Sequence, residues 1–392
     1  MAIANASQFD LVYGIEASYG AGGSTGFFLR GISNGLNPAK GALISEERRS
    51  DGQIPFVRHG NFSVGGSIDF ELSYLAFKDM FRNALRYSLT GGRFISSIDS
   101  ASVTLTWAAS DDSVTRASGS FVTDGAAVGM RVRVTNPSGN AAQQDVILTL
   151  IAVTATKLTF AENVIADASQ ISGTCIFECD YAEDGVTDSS LWIDREFTDV
   201  VLYGHITGAR VSGFSLNWAI GAFVTGSFDV IGQDYDIDAT PADSSAADVD
   251  TAEPFSSDSG AIEEGGSASA IITALTLNYA NGRAPLNVLG DPNPVEISAG
   301  RHMLSGSLTA LFTSAALANK FLDETASSLL ITNDDPAGNQ MAIRIPALKY
   351  TSGEITSAGD DVVSLAANFQ AYRDSTRGTT IEISMTPDTA AV

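Results

Sequence analysis

Positive charge is scarce in this chain: 22 Lys and Arg stand against 46 Asp and Glu, a formal charge of −24 over 392 residues. Such a balance repels phosphate, which argues against tight binding of bare nucleic acid but leaves transient passage of DNA open. Cysteine is nearly absent. Cys175 and Cys179 lie on one face of a strand, roughly 13 Å apart at the usual rise, which rules out a local disulfide between them. Histidine numbers three. His59, His205 and His302 fall in separate segments, each without a second His or Cys at ligand spacing, so structural roles are expected and no metal site. Met1 to Leu11 has neither a basic n-region nor an apolar run, so the expectation is no leader, no membrane insertion and a reducing cytoplasm.

What is abundant is small and apolar: 44% hydrophobic residues, 37 glycines, only 17% charged residues. This is the composition of a folded chain dominated by strands and turns, and its length suggests two or three domains. From Asn61 to Leu72 the pattern alternates strictly, with Phe62, Val64, Ile68, Phe70 and Leu72 on one side and Ser63, Ser67, Asp69 and Glu71 on the other, which predicts a half-buried strand. Tyr74, Phe77, Phe81 and Leu85 then recur at helical spacing around Lys78, Asp79 and Arg82, predicting an amphipathic helix with Ser73 as its N-cap.

The same order returns 240 residues later. Leu304, Leu308 and Phe312 mark a strand through Gly306-Ser307, matching Gly66-Ser67, and Leu317 and Phe321 take the places of Phe77 and Phe81. Leu191-Trp192-Ile193 likewise resembles Leu329-Leu330-Ile331, and Val224, Phe228 and Val230 resemble Leu365, Phe369 and Ala371. Two copies of one β-rich unit are expected. The first copy spans 1–99 and 181–232 and the second 269–392. Between them, 233–268 is acidic and free of Lys and Arg, which predicts a solvated linker. Residues 100–180, with strand-like runs Val103–Trp107, Met130–Val134, Val146–Ala152 and Lys157–Phe160, read as a small all-β domain inserted in a loop of the first copy.

The candidate catalytic and metal motifs along the chain are all incomplete. Gly22-Gly23-Ser24-Thr25-Gly26 fits a nucleophile elbow but lacks the preceding strand and following helix. Asp234-x-Asp236-x-Asp238 opens like a calcium loop, yet Ala239 stands where the turn needs Gly and Ser245 where a bidentate Glu belongs. Asp69 and Glu71 read more simply as a solvated strand face than as an acid/base pair. No catalytic residue, cofactor or metal is expected.

Gly65-Gly66-Ser67-Ile68-Asp69-Phe70-Glu71-Leu72 with its helix, Thr225-Gly226-Ser227-Phe228, Val288-Leu289-Gly290-Asp291-Pro292-Asn293-Pro294 and Ser298-Ala299-Gly300-Arg301 together resemble the tail-tube (major tail) proteins of long-tailed bacteriophages, in the branch with a duplicated tube domain. Ser118-Gly119-Ser120-Phe121 and Val128-Gly129 are similar to small β domains found in such proteins. The resemblance covers nearly the whole chain and rests on the order of elements. It implies a mainly β fold, two tandem β-sandwich repeats each flanked by one helix, plus the inserted domain, with no catalytic residues.

It implies, further, a homotrimer forming a pseudo-hexameric ring, with rings stacked into the conduit for DNA ejection. Assembly would take place in the host cytoplasm and the product would sit in the virion tail, as in siphophages, meeting tape-measure and tail-terminator or tip proteins and passing viral DNA without specific binding. On that reading Asp69, Glu71, Thr225, Ser227, Asp229, Ser307, Thr309, Asn368 and Gln370 line the lumen. Glu46, Glu47, Arg48 and Arg49, in the connection from Pro38 to His59, reach the next ring, with Asn281 to Gly300 as the counterpart. If the strands of Gly66 and Gly306 pack at ring seams, a bulky residue at either should block assembly.

The alternative reading is a carbohydrate-binding or adhesive β-sandwich, which needs solvent-facing aromatics on one sheet, whereas Trp107, Trp192 and Trp218 are scattered. An outer-membrane barrel would need a leader and many more long strands.

Overall fold

The computed structural model describes residues 4–5, 8–89, 93–137, 141–163, 165–269, 271–356 and 362–387. Among the described residues strands dominate, and 27 of them join in one hydrogen-bonded network. The first half of that network contains β1 (Phe9–Ile15), β2 (Gly31–Asn34), β3 (Asn37–Ile44), β4 (Val57–Glu71) and helix α1 (Lys78–Ala84). After a long excursion come β5 (Thr174–Glu183), β6 (Leu191–Phe197), β7 (Leu202–Ala219), β8 (Thr225–Gly232) and β9 (Asp234–Asp238). The second half holds β10 (Ala261–Glu264), β11 (Ile272–Ala280), β12 (Met303–Leu311), α2 (Ala316–Leu322), β13 (Ser327–Asp334), β14 (Gln340–Tyr350), β15 (Glu354–Thr356), β16 (Ser364–Ala371) and β17 (Glu382–Thr386).

One pairing scheme occurs twice. In the first half β1 pairs with β6, β6 with β7 and β7 with β9, while the other part of β7 pairs with β8, β8 with β4, and β4 with β2 and β3. In the second half β10 pairs with β13, β13 with β14 and β14 with β17, while the far part of β14 and β15 pair with β16, β16 with β12, and β12 with β11. Each half thus has an outer sheet and an inner sheet that share one long strand, a sandwich arrangement that buries one face of each sheet. The halves join where β7 pairs with β11, Gly213 to Ala219 against Ala280 to Ala274. One apolar core runs through both, from Leu11 to Met385.

The alternation from 62 to 72 holds: Phe62, Val64, Ile68, Phe70 and Leu72 are buried. Phe228 is the hub, its ring 4.5 Å from Phe70, 5.0 Å from Phe81, 6.0 Å from Phe77 and 6.3 Å from Phe214. Helix α1 is shorter than its apolar spacing predicts, and Ser73 does not cap it; Phe77 holds the N-cap without a side-chain bond. Asp79 and Arg82, expected on a solvated face, are buried. They tolerate burial because Arg82 pairs with Asp180 and lies 3.8 Å from Asp79, which also accepts the Tyr13 hydroxyl at 3.1 Å. Helix α2 buries none of its residues fully; only Leu317 and Phe321 pack onto the core.

Residues from Phe94 to Tyr181 build a second core around Trp107, Phe121, Phe160 and Phe177. Its strands include Leu105–Ala108, Arg131–Thr135, Ile147–Val153 and Lys157–Phe160. This body is fixed to the second half: β5 pairs with β17, Arg131 donates to Gln340 at 3.0 Å, and Arg133 donates to the Gly338 carbonyl at 2.6 Å. Cys175 and Cys179 lie buried and free on β5, where burial pushes both thiols up to about 12.

The acidic stretch 233–268 departs from the solvated linker its composition suggests. It contains β9 and β10, and its Phe255 is fully buried. Its carboxylates serve as backbone acceptors: Asp243 takes the Gly26 amide at 2.8 Å and Asp250 the Leu75 amide at 3.0 Å. Charge that reads as disorder in composition thereby orders the segment.

Gly66 and Gly306 sit inside the inner sheet, on strands β4 and β12 that are paired on both sides within the chain itself. Gly66 has φ +154, and a Cβ there would stand 2.1 Å from the Gly35 carbonyl oxygen; at Gly306 it would stand 2.4 Å from that of Thr276. Larger residues at either site would disturb the chain's own fold.

Candidate functional site

The inner sheet runs, strand by strand, from β2 and β3 through β4, β8, β7, β11, β12 and β16 to β15. Since side chains alternate across a strand, burying the apolar parity leaves a polar face on the other side. Register sets that face out in rows. One row is Asp69, Ser227, Ser215, Asn278, Ser305 and Gln370; the next is Glu71, Thr225, Asn217, Thr276, Ser307 and Asn368. Hydroxyls meet along the rows, Ser215 with Ser227 at 2.9 Å and Thr276 with Ser307 at 2.7 Å.

All nine residues singled out from the sequence, Asp69, Glu71, Thr225, Ser227, Asp229, Ser307, Thr309, Asn368 and Gln370, lie on this face, exposed or half-buried. Sequence reasoning missed Ser215 and Asn217 on β7, Thr276 and Asn278 on β11, and Ser305 on β12. The signal was there for β11, because Leu275-Thr276-Leu277-Asn278-Tyr279 alternates as strictly as residues 62–72.

Three acids on the face, Asp69, Glu71 and Asp229, come from the first half; the second half supplies mostly hydroxyls and amides, with Glu354 on β15 and Lys349 at the far end of β14. Ser33 donates to Asp69. Asp229 is held above the usual aspartate range, first by partial burial and then by the negative charge of Asp69.

The two margins of this sheet are bare. Among the described residues β2 and β3 have ladder partners only in β4, and β15 only in β16. Gly31, Ile32 and Ser33 on one margin and all of β15 on the other are exposed. Unpaired N–H and C=O groups along such edges are templates for another chain.

Beyond the sheet, β3 and β4 continue as a hairpin whose tip, with Glu46, Glu47, Arg48 and Arg49, is exposed. A second hairpin, Ala284–Leu286 against Glu296–Ser298, projects from the same rim, and its Pro292 carbonyl accepts the Phe62 amide at 2.8 Å.

The motifs considered for chemistry lie elsewhere. Ser24 is exposed in a loop followed by the short strand Phe27–Phe28. Asp234, Asp236 and Asp238 lie on strand β9. Among the described residues no group of three or more His, Cys, Asp or Glu could hold a metal ion, and no helix is long and apolar enough to cross a membrane. His205 bonds Asp194 at 2.6 Å, and His302 bonds the Tyr279 hydroxyl.

A polar sheet face, two bare margins and one pairing scheme used twice are the geometry of a self-assembling wall. The model of the phage tail tube protein family matches residues 10–371. The chain belongs to that family. A comparison with curated proteins gives no match. As a phage tail tube protein the chain is structural and not enzymatic, assembles with copies of itself into a tube, and resides in the virion tail.

Proposed function

We propose that three chains close into a pseudo-hexameric ring, that rings stack into a tube, and that the polar face lines a conduit for DNA ejection. The observation that carries this reading is the β7–β11 junction, where the last inner strand of one half meets the first inner strand of the other. Repeating that junction between chains would join β15 of one chain to β2 of the next and consume both bare margins.

Transposing the internal register gives the seam. Asn217 faces Thr225 as Glu354 faces Ala366, and Ala274 faces Thr309 as Ser33 faces Asp69. Ala219 opposite Ala274 therefore becomes Thr356 opposite Ser33 of the neighbour. Eight strand positions per chain make 24 in a trimer. At about 4.8 Å per strand, and with strands along the axis, such a barrel is roughly 37 Å across between backbones and roughly 27 Å once side chains are allowed for. That bore is wide enough for a duplex; a dimer on the same terms leaves roughly 14 Å.

An acidic and hydroxylated wall repels the DNA backbone and lets it slide. In this account the first unit is 1–99 with 181–232 and the second is 269–392; the insert at 100–180 shares its core with Phe94, Ile98 and Tyr181, and the folded connection at 233–268 gives β9 to the first unit and β10 to the second. Tape-measure and terminator or tip proteins would meet the tube at its bore and ends, after assembly in the host cytoplasm.

The test is a paired substitution, Ser33→Cys with Thr356→Cys. In one chain these positions lie at opposite margins, roughly 34 Å apart, too far for an internal disulfide. Oxidised assemblies should give a covalent series on denaturing gels that stops at three chains. Absence of cross-linking in assembled material would refute the seam, and a series running past three would refute the trimer.

A further inference from the structure

The two ends of the inner sheet differ. At one rim the β3–β4 hairpin runs on past Phe62, whose amide bonds Pro292 of the second hairpin, through residues 57–61, roughly 17 Å of strand. Its outer part exposes Leu43, Ile44, Ile54, Phe56 and Val57, each more than half accessible. An apolar cluster of this size at the end of an arm marks an association site.

At the opposite rim, where β7 ends and β11 begins, a groove of about 350 Å³ opens between the inner sheet and β10 and β13. Trp218, Ile262, Leu275 and Ile331 line its floor, and Ile220, 73% exposed, stands at its mouth. No Lys or Arg lines it, and Asp258 lies on its edge. The arm, in contrast, carries Lys40, Arg48, Arg49 and Arg58 against Glu46, Glu47 and Asp51, a local excess of base in a chain of −24. Apolar tip and apolar groove, basic arm and acidic edge, are thus found at opposite ends of the same strands. A contact between two different patches on identical chains propagates head to tail.

We propose that the arm tip, through Ile54 and Phe56, seats in this groove on a second copy of the chain in the adjacent ring. The proposal rests on the tube reading and names the receptor for the arm. It also fixes the polarity of the tube, because every arm points the same way.

The experiment uses the full chain with Phe56→Cys and Ile220→Cys together, each single substitution serving as control. Within one chain the two sites lie at opposite rims, beyond the reach of a disulfide or a short bis-maleimide, and Cys175 and Cys179 are buried. The expected result is a covalent ladder along assembled tubes from the double variant alone. In parallel, Phe56→Asp should keep the wild-type circular dichroism and still give rings, while tube length falls at least tenfold. Wild-type tubes with no ladder, together with Phe56→Asp tubes of normal length, would overturn the arm-groove contact while leaving the tube reading intact. A wild-type chain that never stacks would overturn the tube reading itself, and this proposal with it.

Discussion

Placing lysines on the polar face converts a repelling wall into a binding one, and the size of the effect follows from the geometry. Asp69→Lys with Asp229→Lys adds two cations per chain, on neighbouring strands β4 and β8, and so six in the three-chain ring proposed above. If the six neutralise six phosphates, log affinity should fall against log salt with a slope of about −5, a loss of about a thousandfold between 50 and 200 mM. The assay is co-sedimentation of short duplex DNA with assembled tubes across a salt series, followed by nuclease treatment. Wild-type tubes should hold no DNA at any salt. Variant tubes should hold DNA at 50 mM, release it near 200 mM, and protect it from nuclease. Intact variant tubes that retain no more DNA than wild type, or retain DNA that nuclease digests freely, would show that this face does not line an enclosed bore.

Asp229→Asn should raise the melting temperature at pH 7, with the gain fading as pH falls. The sign follows from the raised folded-state value: between the ordinary 3.8 and that value the folded chain holds more protons, so the ionised carboxylate destabilises above the window and stops doing so below it. Melting curves at pH 7 and near pH 4 check this, and an equal gain at both would contradict it. Arg82→Ala should cost about 3–5 kcal/mol in denaturant unfolding, because it removes the buried guanidinium that pairs with buried Asp180 and lies beside buried Asp79. Gly66→Ala should lower stability by about 2 kcal/mol or more through backbone strain and the Gly35 carbonyl, in monomer and assembly alike; a defect confined to assembly would restore a seam role for this strand.

Much of the inner wall was legible because a strand with one buried face writes its parity directly into the chain. Phe62 to Leu72 and the matching run from Leu304 fixed β4 and β12, and the recurrence of Val224-Phe228-Val230 as Leu365-Phe369-Ala371 fixed their neighbours β8 and β16. Strand β7 was harder to read: it passes from the outer sheet to the inner with a register shift between Val211 and Gly213, so no single alternation describes it. The buried charges of α1 were invisible for another reason. Arg82 finds its partner in Asp180, 98 residues away, and no local pattern reports a contact across that distance. The acidic stretch misled because composition records charge and not what the charge accepts; Asp243 and Asp250 are caps for Gly26 and Leu75. The bare margins, finally, belong to pairing and not to periodicity, and only the ladder reveals which strands lack a second neighbour.

The central claim is that this chain completes its sheet with other copies of itself around a hollow axis. Negative-stain microscopy of the purified full-length chain, with the mass of the smallest ring measured in parallel, tests it most directly. The account predicts open-bored rings and tubes built on a unit of about 123 kDa, three times 40.9 kDa. Particles of 40.9 kDa that stay single at every concentration, or assemblies without a central bore, would contradict it.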